Sequence, residues 1–309
     1  IDAYQHRPLT SCGRDAERVH ALLSRHADGS KNFESRLVTD AYYRLDRDTL
    51  WQFARTLLSH EADVAALYFA GHGGVDDEGG YIRAREREGD APGSERLRMA
   101  DLLELAHGSP VREIIVLLDC CSAGAFANLG GGRHRAVLDH GLTIIAAARP
   151  DQEALEQPEG GVFTSLLCEA LAGGAADVRG QVTMASAYAY LHESLGAWDQ
   201  RPLLKAHVSR LVPLRACAAA VSDDILRRLP QWFPLAHDAY ALDPAHEPSC
   251  EPIDPERESV FAALQKCRAA KLVEPLGHEH MFQAAVSRGA CRLTPLGRHY
   301  HRMVVHGHL

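Results

Sequence analysis

Five consecutive apolar residues, Ile114 to Leu118, stop at Asp119-Cys120-Cys121, and no other stretch of this chain restricts its fold so sharply. The run is too short for a free-standing helix and rich in branched side chains. It reads as a strand buried on both faces, the kind found in a parallel sheet. In open parallel sheets the functional groups sit just beyond the carboxyl ends of the strands. A second stretch has the same shape: Asp63-Val64-Ala65-Ala66-Leu67-Tyr68-Phe69-Ala70 runs into Gly71-His72-Gly73-Gly74. Glycines there let the backbone approach a ligand closely. A histidine and a cysteine at the tips of two buried strands are the two halves of a thiol–imidazole nucleophile, brought together by the sheet and not by proximity in sequence.

The rest of the chain supplies the helices such a sheet needs. Ala16, Val19, Leu22 and Leu23 recur at helical spacing within 15–24, and Leu50, Phe53, Ala54, Leu57 and Leu58 within 48–59. Residues 1–4 and 36–40 read as short strands. Residues 74–97 read as a hairpin around Tyr81-Ile82 with a mobile, arginine-rich loop. Helices are expected over 99–106, 162–172 and from Thr183 to about 196, with strands over 142–148 and 203–208. Strands alternating with helices make the fold class α/β, with a mostly parallel sheet flanked by helices.

The pattern lapses near 214–222. Beyond it come an irregular, proline-bearing loop over 243–256 and a helix over 256–270 burying Val260, Phe261, Leu264 and Cys267. Then follow Leu272-Val273, a polar hairpin around Ser287-Arg288-Gly289, Cys291-Arg292-Leu293, and a helix from Pro295 capped by Thr294. Helix, hairpin, helix in this order resembles a winged-helix domain. The expected organisation is therefore residues 1–213, a linker over 214–222, and a small winged-helix-like α+β domain over 223–309.

Tyr68-Phe69-Ala70-Gly71-His72-Gly73 and Leu117-Leu118-Asp119-Cys120-Cys121-Ser122-Ala123-Gly124 resemble the His and Cys motifs of the caspase and metacaspase superfamily, in its bacterial branch. His72 stands 49 residues before Cys121, close to the spacing of about fifty in caspase-like enzymes. Ile1 to Tyr4 with Leu9 to Ala16 resemble that fold's first strand–helix unit. Gly141 to Arg149 resemble its strand after the nucleophile, Gly160 to Thr164 the next helix start, and Gln200-Arg201-Pro202 the approach to its last strand. The likeness covers roughly residues 1–213. One departure follows the nucleophile, where Ser122-Ala123-Gly124 replaces His-Ser-Gly.

The resemblance implies a cysteine endopeptidase in which His72 is the general base and Cys121 the nucleophile, with the amides of Gly73 and Cys121 forming the oxyanion hole. It selects Cys121 over Cys120 because the family places the nucleophile two residues after an acidic position. It also implies a first specificity pocket lined by Asp15 and Asp119, with Ala70 beside the substrate. Two carboxylates in one pocket favour a cationic side chain, so cleavage is expected after Arg or Lys and not after Asp. The competing reading is a non-catalytic or DNA-tethered interaction protein built on a caspase-like scaffold.

Composition narrows the setting. A net charge of −8 with ordinary apolar content argues against wholesale nucleic-acid binding or disorder. The eight cysteines form no disulfide framework, and with no apolar run near eighteen residues the expectation is a reduced, cytoplasmic protein without a membrane span. The opening at Ile1, in what reads as mid-strand, suggests that the natural chain begins further upstream. No cofactor is expected. Asp76-Asp77-Glu78 is the one acidic run a calcium reading could use, and a solvated loop fits it better. His278, His280, His299, His301, His306 and His308 match no compact zinc ligand set. The arginines of 83–98, with Arg133 and Arg135, sit in loops where caspase-like enzymes can cut themselves, though solvated loop charge explains them equally well. From Lys266 onward seven Lys and Arg face Glu274 and Glu279, which would suit phosphate contacts. No aromatic-and-basic stripe accompanies them, so the expected partners are a protein substrate and a regulatory protein docking on 223–309, with nucleic acid the lesser alternative. A regulated effector in a bacterial defence or cell-death system fits this combination.

Overall fold

In the computed structural model the chain is described over residues 1–121, 141–147, 156–157, 160–195, 201–208 and 210–309. It divides into two units, one of residues 1–176 and 181–217, the other of residues 177–180 and 218–309. The first contains, in chain order, α1 (Cys12–Ser24), α2 (Arg47–Leu58), β1 (Val64–Ala70), β2 (Gly73–Asp76), β3 (Gly79–Arg83), β4 (Arg96–Arg98), α3 (Met99–His107), β5 (Glu113–Asp119), β6 (Leu142–Ala146), β7 (Glu156–Gln157), β8 (Gly160–Gly161), α4 (Val162–Glu169), β9 (Gln181–Thr183), α5 (Met184–Leu195), β10 (Leu203–His207) and β11 (Pro213–Ala216).

The main sheet has the order β1-β5-β6-β10, with β1, β5 and β6 parallel and β10 antiparallel to β6. Every residue of β5 is buried. Alternate side chains of this strand feed two cores. Ile114, Val116 and Leu118 pack on one face with Ala54, Leu58 and Leu102 of α2 and α3. Ile115 and Leu117 pack on the other with Val19, Leu23, Phe163, Leu167 and Leu191 of α1, α4 and α5. Burying each such side chain contributes about 1.5–3 kcal/mol, which is why an unbroken apolar run is stable only in this central position. Helix α1 is capped from a distance: the Asp2 carboxylate accepts the Cys12 and Gly13 amides, both at 2.9 Å. The sheet is the mostly parallel one expected.

The second unit holds α6 (Asp223–Arg227), α7 (Leu229–Trp232), β12 (Ala239–Ala241), α8 (Pro255–Ala269), β13 (Val273–Leu276), α9 (Met281–Val286), β14 (Ala290–Leu293) and α10 (Pro295–Val305). Its sheet is antiparallel, in the order β12-β14-β13. Phe233, Phe261, Leu264, Cys267 and Leu272 form its core. Thr294 caps α10 by accepting the Gly297 amide, with Pro295 at the first helical position. Residues 177–180 pack here through Arg179, whose guanidinium makes two bonds to Asp223 at 2.9 and 2.8 Å.

Four local expectations fail. Residues 1–4 and 36–40 pair with no strand among the described residues. Asp40 instead turns its carboxylate to the Asp2 and Ala3 amides, both at 2.5 Å, so side chain replaces ladder. The arginine-rich segment after β3 returns as a third strand, β4, and its charges are tied down. Arg87 pairs with Asp46 at 2.8 Å, and Arg83 with Glu86 at 2.7 Å. In the second unit β13 and β14 are joined not by a tight hairpin but through the helix α9. No helix among the described residues is long and apolar enough to cross a membrane.

Candidate active site

The parallel register between β1 and β5 ends with Ala70 opposite Asp119. One step beyond, the Gly71 amide still donates to the Asp119 carbonyl at 3.2 Å. The chain from β1 therefore leaves the sheet alongside the chain from β5. At Gly73 the two backbones nearly touch: a Cβ there would stand 2.7 Å from the Cys121 carbonyl oxygen and 2.8 Å from Cys120 Sγ. Only a glycine allows this approach. His72 thus sits on a loop drawn against Cys121, as the two strand ends require.

His72 is fixed from the other side by the N-terminal segment. Its amide donates to Tyr4 Oη at 2.9 Å, Tyr4 in turn donates to the Arg83 carbonyl at 3.1 Å, and the two rings lie 4.5 Å apart. The His72 Nε2 lies 2.6 Å from the Arg7 carbonyl oxygen. A carbonyl can only accept, so Nε2 carries the proton and Nδ1 of the neutral ring holds the lone pair. Arg7 is held at φ 58°, the left-handed region, immediately before Pro8. Neither Tyr4 nor Arg7 was singled out as a site residue in the sequence. Tyr4 could have been found from its aromatic body beside the first loop, but a backbone carbonyl leaves no trace in residue type.

The two thiols differ as strand alternation requires. Cys120 follows Ile114, Val116 and Leu118 into one core and is 1 % exposed. Burial, with Asp119 adjoining, pushes its thiol far above the ordinary range, so it stays protonated. Cys121 is partly exposed at the strand end.

Asp15 and Asp119, expected to share a pocket, do come together. Both are buried, Asp15 on the inner side of α1 and Asp119 at the end of β5. The Gly161 amide donates to Asp15 Oδ2 at 2.8 Å. A Cβ on Gly161 would lie 2.4 Å from Asp119 Oδ2 and 3.3 Å from Asp15 Oδ2. Burial pushes the Asp15 carboxyl above the usual carboxylate range, against the opposing pull of the Gly161 amide, Arg18 and Arg14. Asp119 Oδ2 accepts from Thr164 Oγ1 at 2.6 Å, and Thr164 Oγ1 lies 2.6 Å from Tyr68 Oη. Gly160, Gly161, Thr164 and Tyr68 were not anticipated as pocket residues. Ala70 is buried opposite Asp119 in the same register.

The remaining candidates separate from this site. Asp76 receives Arg96 and Arg98, each at 2.5 Å, and Arg98 also reaches Glu78 at 2.5 Å, so arginines occupy the acidic run considered for calcium. Among the described residues no cluster of three or more His, Cys, Asp or Glu is arranged to hold a metal ion. His301 is buried with Nε2 on the Phe233 carbonyl at 2.7 Å, a core histidine. Ser122-Ala123-Gly124, the 127–140 loop with Arg133 and Arg135, Ala148-Arg149 and Gln200 lie outside the described residues.

A mostly parallel sheet that delivers a histidine loop and a cysteine to adjacent strand ends has the architecture of a caspase-like cysteine peptidase. The model of the caspase domain family matches residues 1–211, and the chain belongs to that family of cysteine peptidases acting on proteins. Caspase-1 from Spodoptera frugiperda has a similar crystal structure, with TM-score 0.50 and 14 % identity over 70 % of this chain and 87 % of that one. So does a protein from Geobacter sulfurreducens, with TM-score 0.50 and 15 % identity over 68 % of this chain and 91 % of that one. At such identities the likeness is one of fold alone. No curated protein matches the sequence.

Proposed function

We propose that the chain is a cysteine endopeptidase in which His72 and Cys121 form the catalytic dyad and cleavage follows Arg or Lys. The observation that carries the reading is the close approach of Gly73 to the Cys121 carbonyl at the ends of two register-paired strands. In this reading His72, with Nε2–H on the Arg7 carbonyl, takes the Cys121 proton at Nδ1 and later delivers it to the leaving amine. The thiolate attacks the scissile carbonyl, and the oxyanion is received by the amides of Gly73 and Cys121. The basic preference is supported by two buried carboxylates meeting at Gly161, where a guanidinium or ammonium group would find paired acceptors.

Residues 223–309 are read as a winged-helix-like interaction domain that docks a regulatory protein, in a regulated bacterial effector of defence or cell death. Several of its basic side chains are engaged internally: Arg292 with Glu274 at 2.7 Å, Arg298 with the Leu293 carbonyl at 3.2 Å and Arg268 with the Glu279 carbonyl at 3.4 Å. Phe282 and Val286 are exposed one turn apart on α9. Both features favour protein docking over phosphate contact.

The test is hydrolysis of matched fluorogenic peptides ending in Arg, Lys or Asp by the wild type and by Cys121→Ala. Cys121-dependent release after Arg or Lys supports the reading. Faster release after Asp overturns the pocket assignment, and equal activity in Cys121→Ala overturns the dyad.

A further inference from the structure

The hydroxyl of Thr164 has one proton, and it stands 2.6 Å from a carboxylate oxygen that can only accept and 2.6 Å from Tyr68 Oη. When Thr164 donates to Asp119, its own oxygen must accept from Tyr68. The chain of donors therefore runs in one direction, Tyr68 to Thr164 to Asp119. Burial, with the charge of Asp119, drives the Tyr68 phenol well above its ordinary range, so the tyrosine keeps its proton and remains a donor. Thr164 is fully buried on the first turn of α4. Gly161 also lies close to Asp119 Oδ2: a Cβ there would stand 2.4 Å from it. The Thr164 donor and the close Gly161 backbone both bear on this one oxygen and restrict how far the carboxylate can turn.

We propose that Thr164, with Tyr68 behind it, is a positioning residue for substrate specificity: it sets the plane of the Asp119 carboxylate so that it meets a planar guanidinium edge-on. This rests on the basic-pocket reading above and goes beyond it, because it assigns the orientation of Asp119 to two hydroxyls, Thr164 and Tyr68, that the resemblance does not place in the pocket. A forked cation recognises a carboxylate by two parallel hydrogen bonds, so a carboxylate held in plane before the substrate arrives binds more tightly than one free to turn. Three elements meet in the relay: β1 through Tyr68, β5 through Asp119 and α4 through Thr164.

The experiment compares full-length wild type, Thr164→Val, Thr164→Ser and Tyr68→Phe on matched peptides ending in Arg or in its neutral isostere citrulline, with benzamidine binding by calorimetry as a second readout. Thr164→Val keeps the shape and removes the hydroxyl. Its expected effect is a rise in KM for the Arg peptide and a fall in the Arg-to-citrulline ratio of about ten- to a hundredfold, the worth of a hydrogen bond to a charged group. The turnover number kcat should stay within about threefold, since the interaction is made in ground and transition states alike. Thr164→Ser should restore the ratio, and Tyr68→Phe should lie between. An unchanged ratio in Thr164→Val overturns the proposal, as does equal loss in Val and Ser variants with kcat falling instead of KM rising. Should the wild type cleave no peptide, the peptidase reading fails, and benzamidine decides this proposal by itself. Binding weakened in Thr164→Val and restored in Thr164→Ser supports it. Binding that is equal in all variants, or absent in the wild type, overturns it.

Discussion

Asp15 and Asp119 arise from a helix and a strand far apart in the chain, yet their carboxylates meet at one glycine, Gly161: its amide donates to Asp15 Oδ2 at 2.8 Å, and a Cβ on it would stand 2.4 Å from Asp119 Oδ2. The meeting point lies at the end of β5, immediately before the Cys120-Cys121 pair. Asp119 closes β5 and Cys121 stands two residues beyond it, so the carboxylate pair and the partly exposed thiol lie at one strand end.

The first prediction concerns the adjacent thiols. Cys121 should react with iodoacetamide well before Cys120, because Cys121 is partly exposed while Cys120 is buried and held protonated. Peptide mapping after brief alkylation at neutral pH checks this, and modification of Cys120 first would contradict it. Cys121→Ala should lower activity by about a thousandfold or more, and Cys120→Ala by only a few fold.

The orienting group of His72 is a carbonyl, so the side chain at position 7 should matter little and its backbone a great deal. Arg7→Gly accepts φ 58° without strain and should keep activity within about threefold. Arg7→Pro cannot adopt that angle, and kcat should fall about tenfold or more as the imidazole loses its acceptor. Steady-state kinetics of the two variants decide the point.

Asp15 gives a pH dependence with a definite sign. Its folded-state pKa lies above the unfolded one, so its contribution to stability is fully present below the ordinary carboxylate range and is lost as pH rises through the folded value. Asp15→Asn removes the buried charge and should raise Tm at neutral pH, with the gain shrinking as pH falls toward about 4. The same variant should lose preference for Arg peptides. Thermal unfolding at the two pH values measures the first effect, and a lower Tm for Asp15→Asn at neutral pH would contradict it.

Gly161→Ala places a methyl 2.4 Å from Asp119 Oδ2, so the carboxylate or β8 must shift. The expected cost is about 1–3 kcal/mol together with loss of turnover on basic peptides. Gly108→Ala is the control: it meets only the Glu104 carbonyl at 3.7 Å, an ordinary contact, and should change stability by less than about 0.5 kcal/mol. Denaturant titration of both variants tests the contrast.

In the second unit Thr294 bonds the Gly297 amide at 3.1 Å and donates to the Lys271 carbonyl at 2.6 Å. Thr294→Ala should destabilise this unit by about 1 kcal/mol, the usual worth of a helix cap. Hydrogen exchange of the α10 amides reads the change locally.

The sequence by itself determined the buried strands, the helices that cover them and the points where His72 and Cys121 leave the sheet. Those features come from apolar runs and periodicities a few residues long, and burial energy enforces them wherever the chain folds. The family's spacing selects Cys121 over Cys120, and alternation along β5 gives the physical reason: Cys120 follows Val116 and Leu118 into the core while Cys121 stays partly exposed. Tertiary structure decided the rest. Residues 1–4 and 36–40 have strand-like composition but no ladder partner among the described residues, and a strand exists only through its partner. Helix α9 has six residues, too few to display a period. The Arg7 carbonyl, the glycines of β8 and the Thr164 hydroxyl lie far in sequence from His72 and Cys121, and Tyr68, though it stands in the His72 segment, meets Thr164 only across the fold. Their roles follow from which segment packs across which carboxylate or imidazole, and that distance information is written in the packing of the whole sheet, not in any local run of residues.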